Sequence, residues 1–239
     1  MPDAFTLTVR SLDAPTPTIR RIVLDLGSVP FTYDAGQAAV LGLHGQRERR
    51  PYSIASAPAD TRADGGLEFL LRTNPAGGLG RHLDDIAAGA RVDFEGPFGA
   101  FVLPDTLPEG PLLFVGGGTG VAPLRSLARE ARARGHAGLR HMLYAVRTAD
   151  DVAYADEFTR WTEDHGGHAI VTVSGQGEDA WRGRRGRIDP GMLLETIGTT
   201  CPLCFVCGPA PMVEDVTRAL SHLGIPADHV RTEQWTPAA

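Results

Sequence analysis

Lysine is missing altogether: all 23 basic residues among the 239 are arginine. Schiff-base chemistry of the aldolase or pyridoxal type is therefore excluded. Cysteine is scarce and odd in number, three in all, which argues against a disulfide framework. No apolar run is long enough to span a bilayer; a typical one, GPLLFVGGGTGVAPL, is interrupted by glycines. The amino end, MPDAFTLTVRSLD, has no basic region followed by an apolar stretch. No secretory signal is expected, and a cytoplasmic location follows. A net charge of −6 gives no reason to expect nucleic-acid binding. What is present, 42% hydrophobic and 22% charged residues, suits a globular chain of one large or two ordinary domains.

The first ~100 residues read as short strands between turns, the pattern of an antiparallel barrel or sandwich. The strand candidates are FTLTVRSLD, TIRRIVLDL, AAVLGL, YSIASA, LEFLLRT and RVDFEGPFGAFVL. In the second, Ile22, Leu24 and Leu26 alternate onto one side. PEGP at 108–111 marks a boundary. Beyond it PLLFVGG, RHMLYAV, AIVTVSG and PLCFVCG read as apolar strands buried on both faces, each followed by a helix. The helices expected are PLRSLAREARARG, AYADEFTRWTEDHGG, DPGMLLETIG and APMVEDVTRALSHLG. Pro123 suits the first helical position and Gly135 the C-terminal cap. Val213, Val216, Leu220 and Leu223 share one face of the last helix, closed by Gly224. Alternation of strand and helix predicts an open parallel sheet with helices on both faces. The expected fold is an antiparallel β domain over 1–107 and an α/β domain over 108–239, with a site in the cleft between them.

Three segments carry chemistry. GGGTGVAP at 116–123 joins the first parallel strand to the first helix. There, glycines let backbone N–H groups approach an anion at a helix amino end. Gly118, Gly120 and Pro123 give G-x-G-x-x-P, with a helix starter where a close-packing glycine often stands. CGPAPM at 207–212 also lies where a strand of that sheet ends. Cys201, Cys204 and Cys207 have iron–sulfur-like spacing, but three residues apart on a strand face opposite ways and a fourth ligand is missing. Cys201 and Cys204 read as small buried residues, Cys207 as facing the site. RPYSIASAP at 50–58 sets an arginine for a phosphate, an aromatic for a planar ring and a serine for a ring nitrogen. That set fits a flavin nucleotide; the alternative is an edge strand with an exposed Arg50 and a packed Tyr52.

Together RPYS, GGLGRHL, GPFGAF, GGGTGVAP, YAVRTADDVAY and CGPAPM, in this order, resemble the ferredoxin–NADP reductase-like family of flavoprotein reductases. The match runs from TIRRIVLDL to TEQW. It implies a six-stranded antiparallel flavin-binding barrel followed by a parallel-sheet domain for NAD(P)H. By the resemblance Arg50 holds a flavin phosphate, Pro51 stiffens the chain, Tyr52 lies on the isoalloxazine and Ser53 approaches its N5. Gly78, Leu79 and Gly80 offer backbone N–H groups to the phosphates, with Arg81 adding charge. Gly80 stands where the family has a hydroxyl, which removes one hydrogen bond to the phosphates; FAD is still favoured over FMN because those N–H groups and Arg81 remain. Gly117, Gly118, Thr119 and Gly120 match the dinucleotide pyrophosphate loop. Cys207 and Gly208, with Met212 in the same motif, lie beside the nicotinamide. Glu233 and Trp235 match a closing acidic and aromatic pair, Trp235 serving as a packed anchor or as a shield over the rings. Ser53, Cys207 and Glu233 are the implied catalytic residues.

The resemblance leaves the donor as NADH or NADPH. Arg147 follows a strand where relatives grip a 2′-phosphate, whereas Gly175 stands where NADPH-specific bacterial relatives have arginine. Arg182, Arg184, Arg185 and Arg187 form a basic cluster, a solvated face unless it meets a phosphate or an acidic ferredoxin. The implied chemistry is hydride transfer from NAD(P)H to flavin N5. With too few cysteines for a fused iron–sulfur domain, the electrons are expected to pass to a separate ferredoxin or oxygenase component. The alternatives are a reductase of free flavin, ferric chelates or quinones, and a non-catalytic electron-transfer subunit.

Overall fold

The structure, a computed structural model, describes residues 3–74, 78–80, 82–83, 86–175 and 181–235. Six strands build the first half: β1 Asp3–Thr16, β2 Ile19–Asp25, β3 Ala38–Leu43, β4 Arg50–Ser53, β5 Gly66–Arg72 and β6 Arg91–Phe98. Among the described residues one helix, α1 Pro58–Asp64, interrupts them. They form one antiparallel sheet in the order β4-β3-β6-β1-β2-β5. An antiparallel bridge between Ile54 and Phe69, with the Ala55 N–H on the Glu68 carbonyl at 2.8 Å, brings the two edges together as a barrel. The predicted alternation holds: Ile22, Leu24 and Leu26 are buried and share the barrel core with Leu41, Phe69 and Phe94. Each such side chain is worth roughly 1.5–3 kcal/mol over leaving it in water.

The segment YSIASA is shorter as a strand than expected. β4 ends at Ser53, and the chain turns into α1, with Pro58 in its first turn and Gly65 (φ 71°) capping it. The left-handed backbone at Gly65 favours glycine, which has no Cβ to clash.

The second half contains β7 Leu112–Gly117, α2 Val121–Ala133, β8 Arg140–Val146, α3 Ala155–Thr159, α4 Trp161–His165 and β9 Gly166–Val173. It continues with β10 Arg184–Arg185, α5 Pro190–Ile197, β11 Leu203–Pro209, α6 Ala210–His222 and β12 Val230–Trp235. Its sheet is parallel in the order β10-β9-β8-β7-β11-β12. The four central strands are those expected from apolar runs; the polar edge strands β10 and β12 had no such signal. Pro123 is the third residue of α2, after a 3₁₀ turn at Gly118–Gly120, rather than the first. The expected helix AYADEFTRWTEDHGG is two short ones meeting at Arg160. Of the apolar stripe in α6, Val213, Val216 and Leu220 are buried, and Leu223 packs at its margin just past the helix.

Chain order reverses at β7, which lies between β8 and β11. The crevice at the carboxyl ends of such strands is where open α/β sheets bind ligands. One face of the sheet packs α5 and α6. The other packs α2 and Trp161 together with Ile19, Ala55, Leu70 and Phe101 from the first half, in one continuous core. Cys204 and Cys207 fall into these two different cores, as opposite-facing residues must. Cys201, expected to be buried, is exposed, because it precedes β11 rather than belonging to it.

Candidate active site

Ser53, Cys207 and Glu233 come from three strands in two sheets, and they meet. Glu233 Oε2 accepts from Ser53 Oγ at 3.3 Å and from Cys207 Sγ at 3.7 Å. Cys207 and Glu233 are register partners in the parallel pair β11–β12, so their side chains leave the sheet on the same side. Burial pushes the Glu233 carboxyl pKa up, with the hydrogen bonds from Ser53 and Cys207 pulling it back in part. Burial, reinforced by the Glu233 charge, pushes the Cys207 thiol well up, so it stays protonated. Two residues along β12, Trp235 lies on the same side of the strand as Glu233. Its indole N–H is buried and has no acceptor among the described residues.

Trp235 borders a cavity of about 920 Å³ at the switch point, which Gly117, Gly118, Thr119 and Met212 also line. The glycines of this region have separate jobs. A Cβ on Gly120 would stand 2.3 Å from the Cys207 carbonyl oxygen, and one on Gly117 would stand 2.6 Å from Met212 Sδ. One on Gly208 would lie 2.6 Å from Met212 Cε. These three let the turn after β7 pack against the turn after β11. Gly118, at φ 55°, has nothing nearer to a Cβ than Arg72 Nη1 at 3.6 Å and Trp235 Cζ2 at 3.9 Å. That left-handed, uncrowded position opens on the cavity.

The cavity is lined by both signs of charge, Arg72, Arg147 and Arg187 with Asp151 and Asp215. Arg147 and Arg187 line it with Ser174 and Gly175. Of the basic cluster at 182–187, Arg187 alone lines it among the described residues; Arg184 pairs with Glu195, and Arg185 donates to the Trp181 carbonyl. Gly175 donates to the Arg147 carbonyl at 2.7 Å, and a Cβ there would lie 2.4 Å from that same oxygen. Close approach of two loops therefore explains the glycine. Arg72 and Thr18 enter the cavity from the barrel side and were not singled out in the sequence, where they read as strand-end and turn residues.

On the barrel, Arg50 and Pro51 are exposed on β4, and Arg50 pairs with Glu48 at 2.8 Å. Its guanidinium carbon lies 3.9 Å from where a Cβ on Gly80 would sit. Gly80 has φ 90°, so a serine or threonine there would be strained, which accounts for the missing hydroxyl. Gly78 donates its N–H to Asn74 Oδ1 at 3.1 Å, and Leu79 is turned into the barrel core. Arg81 lies outside the described residues. The Tyr52 ring stacks on His82, with centroids 5.8 Å apart and planes at 13°. The Tyr52 hydroxyl also meets His82 Nε2 at 2.5 Å. His82 is fully buried and was not foreseen as part of this cluster. Burial raises the Tyr52 pKa to about 12, so its hydroxyl stays neutral. A guanidinium beside a left-handed glycine turn is a donor set suited to a diphosphate, and a ring and a hydroxyl on the same strand suit a flavin.

Two family models match the chain. Residues 12–103 match the oxidoreductase FAD-binding domain, and residues 114–218 match the oxidoreductase NAD-binding domain. The reductase subunit of an aromatic O-demethylase from Amycolatopsis is 34% identical over 98% of this chain and 70% of its own length. Ferredoxin–NADP reductase B from Sorangium cellulosum is 35% identical over 86% of each chain.

The chain belongs to the ferredoxin–NADP reductase-like family.

It is a flavoprotein reductase whose cofactors are FAD and NAD(P)H. Family membership agrees with the fold: the crystal structure of an Amycolatopsis cytochrome P450 reductase superposes over 100% of this chain and 72% of that one. The TM-score is 0.84 and the identity 30%. A ferredoxin NADP⁺ reductase from Neisseria gonorrhoeae, at 18% identity, shares the fold with a TM-score of 0.78. Among the described residues, no helix is long and apolar enough to cross a membrane.

Proposed function

We propose that this reductase takes electrons from NAD(P)H and delivers them to a separate ferredoxin or oxygenase component in the cytoplasm. The relatives support the acceptor class: they include the ferredoxin–NAD(P)⁺ reductase component of a naphthalene 1,2-dioxygenase system from Pseudomonas putida and reductase components of propane 2-monooxygenases. Three free cysteines, one of them exposed, suit a reducing compartment. The functional units divide at 107/108, the barrel holding FAD and the parallel-sheet half holding the nicotinamide dinucleotide.

The observation that carries the mechanism is the meeting of Ser53, Cys207 and Glu233 across the two sheets. When bound, FAD would supply the redox chemistry between the hydride donor and the electron acceptor. Arg50 and the Gly80 turn hold its phosphates, and Tyr52 and Ser53 border its ring. The turn at Gly117–Gly120 holds the dinucleotide phosphates at the amino end of α2, where backbone N–H groups and the helix dipole favour an anion. Cys207 and Gly208 border the nicotinamide. Glu233, buried and with its pKa raised by that burial, accepts from Ser53 and Cys207 and keeps both in fixed orientation. Trp235 covers the cavity edge and excludes water. The protein's share of the rate is proximity and a dry site.

Anaerobic titration of the purified protein with NADH and then NADPH tests this reading. Flavin absorbance is expected to bleach stoichiometrically, and an iron–sulfur protein or oxygenase component should accelerate steady-state turnover. A reconstituted protein with no flavin would overturn it. Acceleration by free flavin or ferric chelate alone, never by a protein acceptor, would overturn the acceptor assignment.

A further inference from the structure

Helix α2 begins at the dinucleotide turn, and one of its flanks is fastened to the barrel. Arg125 donates from Nη1 to the Ala55 carbonyl at 3.0 Å. Its Nε and Nη2 reach Glu157 at 2.6–2.9 Å, and its Nη1 stands 3.6 Å from Glu68 Oε1 on β5. The next residue, Ser126, donates to the Ser56 carbonyl at 2.7 Å. Arg129, one turn on, forks onto Asp60 at 2.7 and 2.8 Å. The Arg125 guanidinium also lies 4.4 Å from the centre of the Tyr154 ring. Tyr154 donates to Glu68 at 2.5 Å and holds φ at 61°, the one positive φ outside glycine among the described residues. Such a backbone is strained and persists where its surroundings over-determine it.

The path through Arg125 is short. That residue lies four positions after Val121, where α2 starts, which is about 6 Å along a helix. Ala55 lies two positions after Ser53, about 7 Å along an extended chain. One guanidinium thus joins the turn that holds the hydride donor to the strand that borders the acceptor. Its side chain is only 12% exposed, and those of Glu68 and Glu157 are 16% and 23% exposed. A planar fork sharing three partners fixes direction as well as distance, which a point charge does not.

We propose that Arg125 is a positioning residue for hydride transfer, setting the separation of the two cofactors while touching neither. The proposal rests on the reading that the Ser53 strand borders FAD and the Gly117–Gly120 turn holds the dinucleotide. Displacement of about 1 Å in a reacting pair costs up to ~100-fold in rate. A direct removal such as Arg125→Met takes the cation from Glu68 and leaves Glu157 with Arg129 at 3.7 Å, which threatens folding. Arg125→Lys keeps the charge and loses the fork; Ser126→Ala and Tyr154→Phe loosen the same joint more gently.

The test is rapid mixing of the FAD-loaded protein with NADH and with 4-deuterated NADH, without oxygen. In Arg125→Lys the limiting rate of flavin bleaching falls about 10-fold or more and the deuterium isotope effect rises. Flavin content and the NADH dissociation constant change less than about twofold. Ser126→Ala and Tyr154→Phe shift the limiting rate in the same direction by less, and they carry the test if Arg125→Lys does not fold. Arg132→Met, on the same helix but paired with Asp164 inside the α/β half at 3.0 Å, serves as the control and leaves the rate unchanged. A lowered melting temperature with an unchanged limiting rate would make Arg125 merely structural and overturn the proposal, as would an equal loss in Arg132→Met. Failure of the unmodified protein to bleach at all would instead overturn the cofactor placement beneath it.

Discussion

Glu233 joins a hydroxyl on the barrel to a thiol on the parallel sheet, and its burial decides how it titrates. A carboxyl whose native pKa is raised favours its protonated form. It contributes stability that is fully present below its unfolded pKa and is lost as pH rises through the native value. Glu233→Gln keeps an acceptor for Ser53 and removes the titration. The pH profile of flavin reduction should lose the limb that lies above the ordinary carboxylate range, and the melting temperature should lose the matching pH dependence. Calorimetry and rapid-mixing rates across pH 4–8 check both. Arg50 and Ser53 should separate cleanly, because the proposed placement puts one at the phosphate end of the flavin and the other at its ring. Arg50→Ala should raise the flavin dissociation constant about 10–100-fold, the worth of a hydrogen bond to a charged group, with a smaller effect on the reduction rate. Ser53→Ala should slow reduction and leave flavin content intact. Equilibrium flavin titration beside single-turnover reduction separates the two.

At the scale of elements, the start of β8 and the end of α4 carry an acid-sensitive joint. Arg140 is buried among His136 and His165, donating to His165 Nδ1 at 3.3 Å and to the His136 carbonyl at 2.6 Å. Burial, helped by the Arg140 charge, lowers the His165 pKa to about 4, and burial lowers that of His136 as well. Their contribution to stability is present above the unfolded value near 6.5 and is lost as pH falls toward 4, up to about 3 kcal/mol for His165. Urea midpoints measured from pH 7 to 4 should therefore fall more steeply for the native sequence than for His165→Gln. Local pattern made most elements legible: alternation gave the barrel strands, and apolar runs gave the four central parallel strands. It failed where a strand is made by pairing alone, as in Arg184–Arg185 and Val230–Trp235. It also missed α1, although Pro58, Asp60 and Gly65 stand at its start and end, because ASAP reads as the tail of a strand. The site was legible as separate motifs. The contact of Ser53 with Glu233, 180 residues apart, depends on two sheets docking, and no local pattern records that.

The whole molecule works as two binding halves with one shared core, and this arrangement makes binding and chemistry separable. The barrel closes on its own interior, whereas Ile19, Ala55, Leu70 and Phe101 join the core of the parallel sheet. Flavin binding should therefore survive damage confined to the dinucleotide turn. Gly120 offers the cleanest such damage, because its Cα faces the Cys207 carbonyl and a methyl group would stand 2.3 Å from that oxygen. Backbone must move, pushing the turn after β7 away from the turn after β11. Gly120→Ala should retain FAD at a full ratio to protein, since none of the groups placed at the flavin lies in that turn. Its flavin should still bleach with dithionite, which needs no dinucleotide site. Reduction by NADH should require at least about 10-fold more nucleotide, the effect of losing roughly 1.4 kcal/mol of binding. A variant that loses flavin together with NADH binding would show that the turn supports the barrel, and that the two halves do not bind their cofactors independently.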